Sequence, residues 1–161
     1  VNNMPAKKIA LFALFISLSA VGGMIKIPLG IASIAMDSMP ALAAVLFFSA
    51  PGAGAIAALG HLMSAMLGGF PLGPFHVLIS LEMFAALFLF AKLHQSGWRR
   101  SKWIAFISVN GIIAAVPFYF LLSPAFFYAT VPGLLIASAL NAAVAGALMP
   151  VLSGIKEKAL L

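Results

Sequence analysis

The 161-residue sequence predicts an all-α integral membrane protein: one transmembrane domain over residues 1–161, a compact bundle of six helices with both termini cytoplasmic. Composition is the first reason. Of the residues, 64% are apolar and 7% charged, against about 25% charged in soluble domains. Nine basic and three acidic side chains cannot cover the surface of a water-soluble globule of this size, and such apolarity excludes disorder. The second reason is where the charges are missing. The 44 residues between Asp37 and Glu82 carry none, nor do the 53 from Trp103 to Ile155; each run is about two crossings at roughly 20 helical residues per pass. The third is the sign of the flanks. With six passes, Lys7, Lys8, Lys92, Arg99, Arg100, Lys102, Lys156 and Lys158 fall on one side and Lys26 alone on the other, the positive-inside pattern of a cytoplasmic N-terminus.

The first helix is expected at about 8–25, uncharged between Lys8 and Lys26. A basic start and an apolar run also describe a signal peptide, but the run is long and the rest of the chain is as apolar, so it reads as a retained span. The second, about 38–49, has Asp37 or Ser38 as N-cap and Pro40 in its first turn. Ser49-Ala50-Pro51-Gly52 marks a turn, after which a third helix runs from about 53 to 67. The loop Gly68-Gly69-Phe70-Pro71-Leu72-Gly73-Pro74 leads to the fourth, about 75–92. Leu93 to Lys102 is the longest polar stretch and belongs in water, with Trp98 and Trp103 as interfacial anchors. A fifth helix covers about 102–122. Ser123-Pro124 and Val131-Pro132-Gly133 separate it from a sixth, about 132–153, which Pro150 is expected to kink or fray.

The net charge of +6 reports topology. The basic residues sit in clusters between apolar runs, with no stripe of bases interleaved with stacking aromatics, so nucleic acid is not the partner. The chain has no Cys, which removes thiolate chemistry. It has no Walker sequence, no His-Glu-x-x-His and no Gly-x-Ser-x-Gly, so neither an enzyme nor a bound cofactor or metal is expected. Binding or transport remains.

Ionisable groups within a span are costly and mark function by default. Glu82 and His61 lie deep in helices four and three; Ser64 shares the face of His61 in the stripe Ala57, His61, Ser64, Gly68. Asn110 and Asn141 are mid-helix, either functional or hydrogen-bonding glue between helices. Asp37 and His76 lie toward the outer end. His61 and Glu82 are a candidate structural pair, Lys26 and Asp37 a candidate solvated one. Phe118, Tyr119, Phe120, Phe126, Phe127 and Tyr128, with Phe70 and Phe75, crowd the same end, as an interfacial belt or as a lid over a pocket. On helix one, Ala6, Ala10, Ala13, Ser17 and Ala20 recur every three or four residues. That stripe serves close packing within the chain or docking of a separate membrane protein.

These features resemble the substrate-binding S components of energy-coupling factor (ECF) vitamin transporters over nearly the whole length. The carriers are Ile27-Pro28-Leu29-Gly30, Asp37-Ser38-Met39-Pro40, Pro51-Gly52-Ala53-Gly54-Ala55, Leu59-Gly60-His61-Leu62-Met63-Ser64-Ala65, and Gly68-Gly69-Phe70-Pro71-Leu72-Gly73 with His76. The Asp-Ser-x-Pro and Gly-His-Leu-x-Ser-Ala combination looks most like the α-ribazole group, which salvages a cobalamin precursor. The resemblance implies a non-enzymatic subunit of the bacterial cell membrane, partnered by a T component and two ATPase subunits. It implies T-component contacts at small residues of helix one, here Ala6, Ala10, Ala13 and Ser17, and a ligand held in the outer half. The expected ligand set is Asp37, His61, Ser64, Phe75, His76, Glu82, Tyr119, Phe127, Tyr128 and Asn141, with the aromatics stacking on the benzimidazole. The alternatives are an S component for biotin or a pantothenate-like compound, an autonomous proton-coupled carrier using Glu82 and His61, and a structural subunit without a ligand.

Overall fold

The structure, a computed structural model, describes residues 6–29 and 32–160. α1 (Ala6–Met24) leads into a two-stranded hairpin, β1 (Lys26–Leu29) and β2 (Ala32–Ala35), and then α2 (Ser38–Ala44). α3 (Ala50–Leu67) and α4 (Phe75–Gln95) follow, then α5 (Ser101–Gly111), a 3-10 turn (Ile113–Ala115), α6 (Val116–Leu121) and α7 (Pro124–Leu160). α1, α3, α4, the α5–α6 rod and α7 are long and apolar enough to cross a membrane. The all-α expectation therefore needs one addition, the antiparallel hairpin, in which Lys26 stands opposite Ala35 and Leu29 opposite Ala32. Pro28 disguised it as a loop, yet both strands of a two-stranded sheet are edge strands, where a residue without an N–H is admitted. The turn residues Gly30 and Ile31, and the side chains of Lys26, Glu157 and Lys158, lie outside the described residues.

α2 is the sixth membrane-embedded element and ends at Ala44, short of the expected 49, where a turn takes over. Seven residues reach only about 10 Å, well under a roughly 30 Å hydrocarbon layer. Its residues Ala41 to Ala44 are at most 2% exposed, because the small alanine faces let α1, α3, α4 and α7 close on it from all sides. Irregular backbone at membrane depth is stable only under such cover.

Both ends of α2 are satisfied by side chains of α7. Asp37 occupies the N-cap position but makes no capping bond. Instead Met39 N–H donates to Oδ1 of Asn141 at 2.7 Å, and the Asn141 amide donates to Ala35 O at 2.8 Å and Ala137 O at 2.9 Å. Beyond the C-terminus of α2, Lys156 Nζ donates to Leu46 O at 2.6 Å. Asn141 thus binds the hairpin exit to α7, the helix-joining role left open by its position in the sequence.

Close helix approach is written in glycine. A Cβ on Gly22 would run into the backbone carbonyl of Met36, and one on Gly23 into the Ser64 side chain. Ser64 therefore packs against α1.

Prolines fall differently from expectation. The last helix begins at Pro124 and contains both Pro132 and Pro150, continuing to Leu160; prolines are tolerated in membrane helices whose neighbours cover the freed groups. The expected single helix over 102–122 is interrupted at Ile112 and relaxes into the 3-10 turn. Pro117 lies four residues after Ile113, where its ring would oppose that residue's carbonyl in a continuous α-helix. Lys102, expected in water, is 8% exposed. Its ammonium donates to His94 Nδ1 at 2.7 Å and sits 5.0 Å over Trp103 and 5.5 Å over Phe90, a cation held by ring faces.

Candidate functional site

A cavity of about 450 Å³ lies beneath the α3–α4 loop, among the β2–α2 junction, α3, α4, the α5–α6 rod and α7, within the roughly 300–1,000 Å³ of small-molecule sites. Helical spacing builds its walls. α4 contributes His76, Ile79, Glu82 and Met83; the α5–α6 rod contributes Asn110, Ala114 and Phe118; α7 contributes Phe126, Thr130, Leu134, Ala137 and Asn141.

One wall is a hydrogen-bonded ladder. Leu72 N–H donates to His76 Nε2 at 3.3 Å, His76 Nδ1 lies 3.1 Å from His61 Nε2, and His61 Nδ1 lies 3.4 Å from Asp37 Oδ2. A backbone amide only donates, so His76 Nε2 accepts. With both imidazoles neutral, His76 then donates from Nδ1 to His61 and His61 donates from Nδ1 to Asp37, a tautomer assignment set by the network. Ser38 Oγ donates to Asp37 Oδ1 at 3.2 Å. Asp37 can serve here because Asn141 has taken over the first turn of α2. Glu82 joins this wall from a deeper turn, and among the described residues its buried Oε2 has no hydrogen-bond partner. The expected His61–Glu82 pair is not hydrogen-bonded, since both His61 nitrogens are engaged elsewhere.

Facing the ladder is an apolar wall. Phe118 and Phe126 lie with centroids 6.1 Å apart at 49°, and Phe75 supports Phe118 edge-on at 5.7 Å. An amphipathic ligand is the chemical complement: a flat apolar body against the rings, hydrogen-bonding groups against the ladder.

Of the residues expected to bind ligand, Asp37, His61, His76, Glu82 and Asn141 line the cavity. The Asn141 amide hydrogens are committed to Ala35 and Ala137. Ser64 points at α1. Phe75 is one layer back, and Tyr119, Phe127 and Tyr128 form a separate cluster with Tyr119–Phe127 at 5.8 Å and Tyr128 67% exposed. Their places are taken by Phe118 and Phe126, on the other faces of the same helices. Asn110 donates to Ser138 Oγ at 2.8 Å, tying the α5–α6 rod to α7. The signal for Phe126 was present: Phe126, Thr130, Leu134, Ala137 and Asn141 follow at spacings of four, four, three and four. Splitting the helix at Pro132 concealed it.

On α1, Ala6, Ala10, Ala13 and Ser17 are exposed while Ala20 is buried. This face, shared with Leu14, Leu18 and Val21, is left uncovered by the chain's own helices, so the stripe divides: Ala20 packs inward and the other four do not.

No family model and no curated protein sequence matches the chain. Among solved structures, it is similar to the S component of a bacterial ECF transporter, at 18% identity over 96% of this chain and 97% of that one, with a TM-score of 0.65. At that identity the likeness establishes the fold: a multi-pass helical membrane protein of S-component architecture.

Proposed function

We propose that this protein is the substrate-binding membrane subunit of a bacterial ECF-type importer, taking up a vitamin or vitamin precursor, with α-ribazole as the first ligand to test. The observation that carries the reading is the cavity in which the Asp37–His61–His76 ladder faces Phe118 and Phe126. A benzimidazole stacks on the ring wall and ribose hydroxyls meet the polar one. The charge bias supports a hairpin end outside the cell; in that orientation ligand enters under the α3–α4 loop, and α2 with its α7 clamps closes the inner side. A T component and two ATPases supply the energy, and tipping of the bundle releases the ligand inside. Ala6, Ala10, Ala13 and Ser17 are the proposed T-component contact, since a small-residue face permits close helix approach. The proton-coupled alternative, a relay between Glu82 and His61, is weakened because the two share no hydrogen bond among the described residues: the His61 nitrogens face Asp37 and His76.

Calorimetry with the purified chain tests this. Base–aromatic stacking contributes about 1–3 kcal/mol, so Phe118→Ala weakens α-ribazole binding by roughly 5- to 150-fold, while Tyr128→Ala leaves it within twofold, about 0.4 kcal/mol. Ala13→Trp is expected to abolish co-purification with T component and ATPases at unchanged ligand affinity. Full binding by Phe118→Ala, or a chain that binds no small molecule, rejects the reading.

A further inference from the structure

We infer that the cavity selects ligands without negative charge, and that Glu82 enforces this by accepting a hydrogen bond from the ligand, from a hydroxyl or a cationic nitrogen. This deepens the proposed function and rests on it.

Two carboxylates, Asp37 and Glu82, line the cavity, and among the described residues no Lys or Arg does. The basic side chains described around the opposite end are occupied or remote. Lys102 is bound to His94, Lys156 to the Leu46 carbonyl, and Arg99 and Arg100 are exposed in the α4–α5 loop. Both histidines of the wall spend their ring nitrogens on the ladder. Turning one toward an anion would cost a contact that the ladder already makes.

The two carboxylates are not equivalent. Asp37 accepts from Ser38 and His61 and is satisfied within the chain. Glu82 sits six residues beyond His76 on α4, about 9 Å deeper. Its Oε2 is buried with no partner among the described residues. A buried acceptor left unpaired is unfavourable, and a donor on the ligand relieves it. A carboxylate or phosphate on the ligand makes the site worse, because it meets a like charge with no Lys or Arg among the described residues that line the cavity. The aromatic wall agrees in sign, since the negative potential of a ring face attracts cations and disfavours anions.

Binding of four compounds to the purified full chain tests this: α-ribazole (neutral), thiamine (cationic), α-ribazole 5′-phosphate and biotin (anionic). α-Ribazole is expected to bind, and its 5′-phosphate to bind weaker by on the order of 100-fold or more, the scale of like-charge juxtaposition. In Glu82→Gln, which keeps size and a hydrogen-bonding oxygen but drops the charge, that ratio narrows by about tenfold or more; Glu82→Asp preserves it, and unchanged melting of both variants shows that the fold is intact. Equal binding of nucleoside and 5′-phosphate, tight biotin binding, or an unchanged ratio in Glu82→Gln overturns the inference and leaves the transport reading standing. Failure of all four compounds to bind overturns α-ribazole as the ligand and this inference with it.

Discussion

Asp37→Ala is expected to weaken α-ribazole binding by on the order of 10- to 100-fold, the effect of stranding a buried donor and unlocking its neighbour. Asp37 holds the end of the ladder at His61. Without it the His61 Nδ1–H loses its acceptor, the ring is no longer fixed, and His76 loses a fixed partner in turn. His61→Ala should have nearly the same effect, and the double variant little more than either, because members of one hydrogen-bonded chain are non-additive. Asp37→Asn, whose oxygen still accepts from His61, should recover much of the affinity. Independent, additive losses measured by calorimetry would show that the three residues do not act as a unit.

Asn141→Ala is expected to act on the fold before it acts on binding. It strands Met39 N–H and Ala35 O, each at about 1–3 kcal/mol when buried, so a loss of roughly 2–6 kcal/mol follows. The melting temperature in detergent should fall sharply, with new protease sensitivity around the β2–α2 junction. Asn141→Asp keeps the acceptor for Met39 but sets a carboxylate oxygen against the Ala35 and Ala137 carbonyls, so it should be at least as damaging as Ala at neutral pH. An unchanged melting temperature for Asn141→Ala would mean that α2 is held by its packing alone.

What could be read from sequence follows from which physical signal dominates at each place. Hydrophobic run length and charge placement locate α1, α3 and α4, because lipid admits few alternatives. They fail at α2, where seven residues are stabilised by four surrounding helices, a tertiary fact without a local trace. They fail at Pro132 because proline ends helices in water but is accommodated between membrane helices. The split hid the helical face that carries Phe126, so Phe127 and Tyr128 stood in its place; Tyr119 stood for its neighbour Phe118 on α6, a separate element. His61 and Glu82 were legible because ionisable groups within a span are rare enough to be informative one by one; Asp37 and His76, expected at the outer end, came with the family resemblance. Ser64 was not, since nothing in its own segment says that Gly23 faces it.

The clamps on α2 also set an order of assembly. Met39 and Asn141 are 102 residues apart in the chain, and Leu46 and Lys156 are 110 apart. During synthesis the second element emerges long before either partner exists, too short to insert by itself and with its first amide uncapped. Neither clamp can form until the last helix has been made. The candidate cavity, one wall of which is α7, is complete only once that helix is in place. A ribosome stalled before the last helix would hold a chain with most of its spans inserted and no site.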